Sequence, residues 1–257
     1  MIDTIYFDNW NTLVQAPDLM RRGGSTERFH RYLESRGVDV PYELFVEVYR
    51  PIARRHAQEA DADGYRELDY EKRIESVFAE LGLEDADELA KGAWRAYLDE
   101  WPRQTEFFPE TPGILESLMG RYKLGVITNY MEGHTCQLVF DKLGYREIFD
   151  TLVVSAEVGY RKPSRVIFEQ ALNETGSSPE NCVMVGDMYE ADIVGANNMG
   201  MNSVLIDVYD NQQQHYGEAT VAIKDISGFP AALEEILSAA SHETSVSTRG
   251  VRAKTEE

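Results

Sequence analysis

The chain has 257 residues, of which 45 are acidic and 25 basic, and its formal net charge is −20. That charge repels nucleic-acid phosphates and anionic membrane surfaces, so it argues against partners of either kind. The length excludes a small disulfide-stapled scaffold, and it suits one large domain or one domain that carries an insertion.

The remaining composition indicates where the protein works. No apolar run reaches the roughly 18 residues that span a bilayer, and acidic and polar residues interrupt the N-terminus too early for a signal peptide. Cys136 and Cys182 have neither CxxC nor metal-ligand spacing, so free thiols are expected. We therefore predict a soluble, cytoplasmic protein that binds a small molecule, and its oligomeric state is unknown. Scarce lysine and many acids also suit a salt-rich cytosol, which makes a halophilic protein a further hypothesis.

The first element is an apolar strand, IYF at residues 5–7, followed by the loop DNWNTL. Residues 25–103 then have a helical pattern throughout, with high charge and apolar residues three to four positions apart. Trp94 and Trp101 fall in that pattern, so both are expected in the core of this segment. Four helices and no strand are predicted here, in the stretches STERFHRYLESRG, YELFVEVYRPIARRHAQEA, DYEKRIESVFAELG and DADELAKGAWRAYLDEW.

From Phe107 the pattern changes to short apolar runs that alternate with helices. The predicted strands are YKLGVITN, TLVVSAE, CVMVGD, NSVLIDV and TVAIKDI. Near-continuous Val, Ile and Leu strands between helices indicate a parallel sheet that is covered on both faces. We predict an α/β, Rossmann-like core from residues 1–14 and 106–240, an all-helical insertion at 15–105, and a disordered tail at 241–257.

Residues able to do chemistry follow several of the predicted strands. In open parallel sheets, function gathers in the crevice beyond the carboxyl ends of the strands. Any one of these residues could instead cap a turn or a helix, or lie on the solvated surface, whereas the ordered set is specific. In chain order the set is Asp8, then Thr128 and Asn129, then Lys162 before a proline, then Asp187 after a glycine, and Asp192 five positions later.

This set resembles the four motifs of the haloacid dehalogenase superfamily of hydrolases, over residues 1–237, with the helical insertion as the family's cap. The resemblance implies that Asp8 is the nucleophile and that Thr128 and Lys162 hold the transferred group. It also implies Mg²⁺, held by Asp8, the backbone carbonyl of Trp10 and Asp187, with Asp192 in support. Three further residues are expected to contact the substrate: Asn11, Thr12 and Asn129.

The first motif departs from the family's usual phosphatase pattern. Those enzymes read DxDGT, and the second aspartate protonates the leaving group, whereas Trp10 occupies that position here. An indole has a donor but no acceptor, so it cannot shuttle protons. Losing a general acid typically costs about 10²- to 10⁴-fold in rate. A good leaving group, such as an acyl or aryl phosphate, would compensate, as would an acid from the insertion: His56, Glu59, Asp61 or Asp63.

Two alternatives to a phosphatase stay open. The 2-haloacid dehalogenases resemble this chain in having an aromatic residue at the position of Trp10, because a halide leaves without a proton. Their fourth motif resembles SSNAWD and binds no metal, whereas this chain retains Asp187 and has Tyr189 in place of the asparagine. A weakly active or non-catalytic metabolite-binding protein is the other alternative. The favoured interpretation is Mg²⁺-dependent, phosphatase-type hydrolysis of a small phosphorylated metabolite through an aspartyl intermediate.

Overall fold

A computed structural model describes residues 1–21 and 23–252 of the chain, and a parallel sheet lies at its centre. The strands found in the described residues are β1 (Thr4–Phe7), β2 (Val14–Gln15), β3 (Glu106–Phe107), β4 (Lys123–Thr128), β5 (Thr151–Val154), β6 (Cys182–Gly186), β7 (Asn202–Ile206) and β8 (Val221–Ile223). The central sheet has six of them in the order β5-β4-β1-β6-β7-β8, and the two remaining strands, β2 and β3, pair antiparallel.

Helices occupy most of the chain between the strands. All four helices predicted between residues 25 and 103 form, and a short helix flanks them on each side. The helices are α1 (Pro17–Met20), α2 (Gly24–Ser35), α3 (Tyr42–Ala62), α4 (Tyr70–Glu80), α5 (Ala86–Leu98), α6 (Trp101–Gln104), α7 (Thr111–Leu118), α8 (Gly133–Leu143), α9 (Ser155–Val158), α10 (Arg165–Thr175), α11 (Val194–Met199) and α12 (Phe229–Arg252).

The central strand shows why these sequences read as continuous apolar runs. Alternate residues of β1 point to opposite faces of the sheet. Ile5 and Phe7 belong to the larger hydrophobic core, where the Phe7 ring lies 5.4 Å from that of Phe229 in α12. Tyr6 belongs to the second core, with Phe168 of α10. Helices therefore cover both faces, and the predicted α/β class with a Rossmann-like parallel sheet is confirmed.

The helical segment begins and ends beside one short antiparallel ribbon, formed by β2 and β3. Helices α1 to α6 lie between β2 and β3, and Val14 pairs with Phe107 across that short ribbon. Side chains such as Phe45 and Phe78 are fully buried within the segment. The ribbon thus ties both ends of the helical segment to the loop that follows β1.

Two further findings concern the helices. Across the described part of the chain, no helix is both long and apolar enough to cross a membrane. The predicted disordered tail, residues 241–257, begins inside α12 and ends outside the described residues, so its disorder stays a prediction.

Close packing of the sheet gives a first testable prediction. A Cβ on Gly125 of β4 would lie 2.6 Å from the Tyr6 ring and 2.8 Å from the Thr151 methyl group. Gly125→Ala therefore overpacks the sheet and should lower the free energy of unfolding by about 1–3 kcal/mol, measured by urea denaturation. The control is Gly113→Ala, on the exposed side of α7 with nothing within 4 Å of the added carbon. It should be neutral or stabilise by up to about 1 kcal/mol, and equal losses for both variants would contradict the account.

Candidate active site

Three neighbouring strands bring distant parts of the sequence together. Strand β1 lies between β4 and β6, so Asp8, Thr128 and Asp187 stand at adjacent carboxyl ends. The backbone N–H of Asp8 donates to the carbonyl of Val185, at 2.8 Å, which fixes the start of the loop after β1. The predicted grouping at this edge of the sheet is therefore present.

A buried lysine lies at the centre of the group. Lys162 Nζ is 2.7 Å from Asp8 Oδ1, 2.6 Å from Asp192 Oδ1 and 2.6 Å from the carbonyl oxygen of Ile127. Two of the three ammonium donors go to Asp8 and to the carbonyl of Ile127, and the contact with Asp192 is an ion pair. Burial alone would lower the pKa of Lys162, but Asp192 and Asp8 outweigh burial and raise it. Lys162 is therefore charged and fixed in position.

The backbone of Lys162 is held by a side chain at the end of β4. Its N–H donates to Asn129 Oδ1 at 2.7 Å, and Asn129 Nδ2 donates to its carbonyl oxygen at 3.1 Å. Asn129 was predicted as a substrate contact, and in the structure its amide group binds the backbone of Lys162 and positions that residue.

Asp192 is held just as firmly, in a π-helical turn, Tyr189–Ile193, that follows β6. Asp192 Oδ2 accepts from the Met188 N–H at 2.9 Å, while Oδ1 faces Lys162. Gly186 makes room for this carboxylate, because a Cβ there would lie 2.2 Å from Asp192 Oδ2. With both oxygens engaged, Asp192 supports the site more than it faces a ligand.

Negative charge exceeds positive charge at this site. Carboxylate oxygens of Asp8, Asp187 and Asp192 lie within 4.8 Å of one another, and Lys162 is the ammonium group that contacts two of them. Burial, then the charges of Asp8 and Asp192, raise the pKa of Asp187 to about 8. Burial raises the pKa of Asp8 to about 6 against the opposing effect of Lys162. Oxygen donors with uncompensated charge suit a hard divalent cation such as Mg²⁺.

Two neutral side chains orient Asp187. Asn11, which has a left-handed backbone (φ 59°), donates from Nδ2 to Asp187 Oδ2 at 3.0 Å. Gln212 donates from Nε2 to the Asp187 carbonyl at 2.8 Å and accepts from the Tyr189 N–H at 3.1 Å. Sequence reasoning assigned Asn11 to the substrate and missed Gln212, which lies 25 residues beyond Asp187 in the loop after β7.

Several polar groups around Asp8 are buried without a hydrogen-bond partner. They include the hydroxyls of Thr12 and Thr128 and both polar atoms of the Asn9 side chain. Buried polar groups are normally paired, so unpaired ones beside the Asp8 carboxylate are candidates to bind a ligand. Thr12 and Thr128 were predicted from the sequence, whereas Asn9 was not.

A cavity of about 320 Å³ opens over Asp8, Lys162, Asp187 and Asp192. Its opposite wall is aromatic and aliphatic, and it includes Trp101, which is buried as expected but also faces this space. None of the acids that the insertion might have supplied, His56, Glu59, Asp61 and Asp63, lines it. The other lining residues are Trp10, Asn11, Leu19, Met20, Tyr70, Tyr97, Asn129, Tyr130, Met131, Met188 and Ala191.

Comparison with known proteins identifies the family. The family model described as haloacid dehalogenase-like hydrolase matches residues 39–206. The chain belongs to this family. It is 38% identical over 136 residues to a glyceraldehyde 3-phosphate phosphatase of Methanothermobacter thermautotrophicus, a match that covers 51% of this chain and 58% of that protein.

A second relative of this haloacid dehalogenase-like hydrolase aligns over more of its length. The ribulose-1,5-bisphosphate 5-phosphatase of Halopiger xanaduensis is 32% identical over 212 residues, which cover 80% of this chain and 85% of that protein. Among solved structures, a 2-haloacid dehalogenase from Pseudomonas syringae has a TM-score of 0.71 at 23% identity, covering 91% of this chain and 99% of that one. That structure shows the shared fold.

The raised pKa of Asp187 makes a prediction about stability in metal-free solution. Its pKa rises from an ordinary value of 3.8 to about 8, so the folded state holds this proton more tightly than the unfolded state. The contribution of this group to the free energy of unfolding is therefore largest at acidic pH, and it is lost as the pH rises from about 3.8 to about 8. In EDTA, the Tm of the wild type should fall relative to that of Asp187→Asn between about pH 5 and pH 8.

Adding Mg²⁺ should reverse this trend, since the cation competes with the proton for the same carboxylates. The rise in Tm on adding Mg²⁺ should therefore be larger at the alkaline end of the range. If the Tm values of the wild type and of Asp187→Asn change with pH in the same way in EDTA, the raised pKa assigned to Asp187 is contradicted.

Proposed function

We propose that this haloacid dehalogenase-like hydrolase is a Mg²⁺-dependent phosphatase that acts on a small phosphorylated metabolite through an aspartyl intermediate on Asp8. The observation that carries the proposal is the excess of buried carboxylate, Asp8, Asp187 and Asp192, around a single lysine. A halide leaving group has no use for a cation at Asp187. The names of the two curated relatives, both phosphatases, support the same reaction class.

The reaction has two steps, and Asp8 takes part in both. Its carboxylate attacks phosphorus, the bond from phosphorus to the leaving oxygen breaks, and that oxygen keeps the electron pair and takes a proton from water. A second water then attacks the phosphorus of the aspartyl phosphate, the Asp8 carboxylate leaves, and the proton that this water loses neutralises the hydroxide left by the first. The sum is one phosphate monoester and one water converted into one alcohol and inorganic phosphate.

The chain's own residues supply most of the positioning. Lys162 holds Asp8 Oδ1, which sets the direction of the carboxylate. The unpaired hydroxyls of Thr128 and Thr12 are proposed to donate to phosphoryl oxygens, as fixed donors that need no rearrangement during the reaction.

The proposed Mg²⁺ ligands are Asp8, the backbone carbonyl of Trp10 and Asp187, with Asp192 in support through Lys162. Bound there, the cation would offset the repulsion between a phosphate dianion and the nucleophile. Asn11 and Gln212 keep the Asp187 segment in place for this role.

The helical segment is proposed to act as a cap. We assign residues 1–14 and 106–240 to the core, and residues 15–105 to the cap. Leu19, Met20, Tyr70, Tyr97 and Trp101 of the helical segment face the catalytic carboxylates across the cavity, which supports this division. A cap of this kind excludes water and selects the leaving group.

The cellular setting belongs to the proposal as well. The net charge of −20 supports work in a salt-rich cytoplasm, because counterions screen repulsion between surface carboxylates. Activity that persists in molar KCl is the expected behaviour. Activity confined to low salt would contradict this part of the proposal.

The decisive assay is release of phosphate from acetyl phosphate with Mg²⁺ and with EDTA. Asp8→Asn should lower kcat by at least about 10³-fold, because the nucleophile is lost. Asp187→Asn should raise the Mg²⁺ concentration needed for half-maximal rate by about tenfold or more. The matched control is Asp141→Asn, an exposed position on α8 away from the site, which should leave both values unchanged.

Other outcomes of that assay would favour the alternatives. Halide release from an L-2-haloacid in EDTA, without phosphate release from acetyl phosphate, would favour a dehalogenase. A binding protein would be favoured if the wild type turns over no substrate and the Asp8→Asn variant still binds a phosphonate.

A further inference from the structure

Resting on the proposed phosphatase function, we propose that the substrate is a phosphate monoester whose leaving group is a planar aromatic oxygen compound without a second charge. Its ring would bind in the aromatic pocket, which we define as Trp10, Tyr70, Tyr97, Trp101 and Tyr130. These five side chains line the cavity above Asp8.

The aromatic pocket is built from both sides of the cavity. Trp10 comes from the loop after β1, and its ring lies 4.5 Å from that of Trp101 in α6, at 67°. The Tyr130 ring, at the end of β4, lies 5.2 Å from Trp10 and 5.4 Å from Trp101. Tyr97 meets Trp101 edge-on at 5.9 Å. Such contacts between rings fix ring positions, so the pocket is formed before a ligand binds.

The charges that line the cavity disfavour a second anionic group in the aromatic pocket. Among the described lining residues, Lys162 is the one cation, and Asp8 and Asp192 already pair with it. Arg21 lines an adjoining cavity that shares Asn11, Met20, Asp187 and Met188 with this one, and there it pairs with Glu27. A second phosphate or a carboxylate inside the aromatic pocket would therefore lie against rings without a charged partner, which is strongly unfavourable.

The pocket is equally unsuited to a chain of hydroxyl groups. The lining of the whole cavity is aromatic or aliphatic apart from Asn11, Asn129 and the charged residues Asp8, Lys162, Asp187 and Asp192. The buried polar atoms of the aromatic pocket without partners are the indole N–H groups of Trp10 and Trp101 and the hydroxyl of Tyr130. Burial raises the pKa of Tyr130, so this hydroxyl stays neutral and can donate. These groups and the hydroxyls of Tyr70 and Tyr97 are spread over the aromatic wall, an arrangement that suits one ring substituent or a leaving oxygen better than a polyol.

Leaving-group chemistry agrees with the shape. A phenol-type hydroxyl has a pKa of about 10, against about 15.7 for water, so an aryl oxide departs far more readily than an alkoxide. When the bond from phosphorus to the aryl oxygen breaks, that oxygen keeps the electron pair and then takes a proton from water. The site therefore needs no general acid where Trp10 stands, and the same indole supplies a wall for the ring.

Inhibition of acetyl phosphate hydrolysis by two phosphonates tests binding without the effect of leaving-group reactivity. In the presence of Mg²⁺, phenylphosphonate should have a Ki about tenfold or more below that of methylphosphonate, because its ring enters the aromatic pocket. Equal Ki values in an enzyme that hydrolyses acetyl phosphate would overturn this inference and leave the proposed function standing. If acetyl phosphate is not hydrolysed, the proposed function fails first, and direct calorimetry with both phosphonates then decides whether the pocket prefers the ring.

Variants make the test specific to the pocket. Trp101→Leu should reduce the ratio of the two Ki values by about fivefold or more, whereas Phe78→Leu, buried within the helices away from the cavity, should leave the ratio unchanged. If Trp101→Leu does not fold, Met20→Lys at the partly exposed cavity wall replaces it. The added cation should raise kcat/KM for ribulose 1,5-bisphosphate relative to phenyl phosphate by about fivefold or more. A Ki ratio that changes equally in Trp101→Leu and Phe78→Leu would contradict the assignment of the aromatic pocket to the leaving group. An unchanged ratio of the two kcat/KM values in Met20→Lys would contradict it as well.

Discussion

The ion pairs of buried Lys162 with Asp8 and Asp192 join the three segments from which the site is built. They connect the end of β1, the loop before α10 and the turn after β6. Removing one partner of a buried pair typically costs about 3–5 kcal/mol, because the other charges are left uncompensated. Since these two carboxylates already outnumber the single ammonium group, Asp187 adds further negative charge that these side chains do not neutralise. That arrangement favours a proton or a bound cation at Asp187.

Trp10 connects the chemistry of the site to its shape. As an indole it cannot serve as a general acid, and the described acids of the helical segment that the sequence offered in its place lie away from the cavity. Its ring packs against Trp101 and Tyr130, so the position that holds an acid in the family's usual phosphatases here forms part of an apolar wall. Both consequences favour a leaving group that is stable as an anion and has an apolar face.

Much of this could be predicted from the sequence, for physical reasons. Parallel strands covered on both faces give continuous apolar runs, and their carboxyl ends meet, so Asp8, Thr128 and Asp187 had to be neighbours. The bonds from Asn11 and Gln212 to Asp187 could not be foreseen, because they depend on a left-handed loop residue and on a loop far along the chain. Helical periodicity likewise placed Trp101 on an apolar face but could not tell a core position from a cavity wall.

Calorimetric titration of the metal-free protein with Mg²⁺ near neutral pH, in two buffers of different ionisation enthalpy, tests the central claim most directly. The unbalanced carboxylates should bind one Mg²⁺ and release protons, because the pKa values of Asp187 and Asp8 are raised to about 8 and about 6. Asp187→Asn should lose most of the affinity and most of the proton release. Binding without proton release, or with the same affinity in Asp187→Asn, would contradict the account.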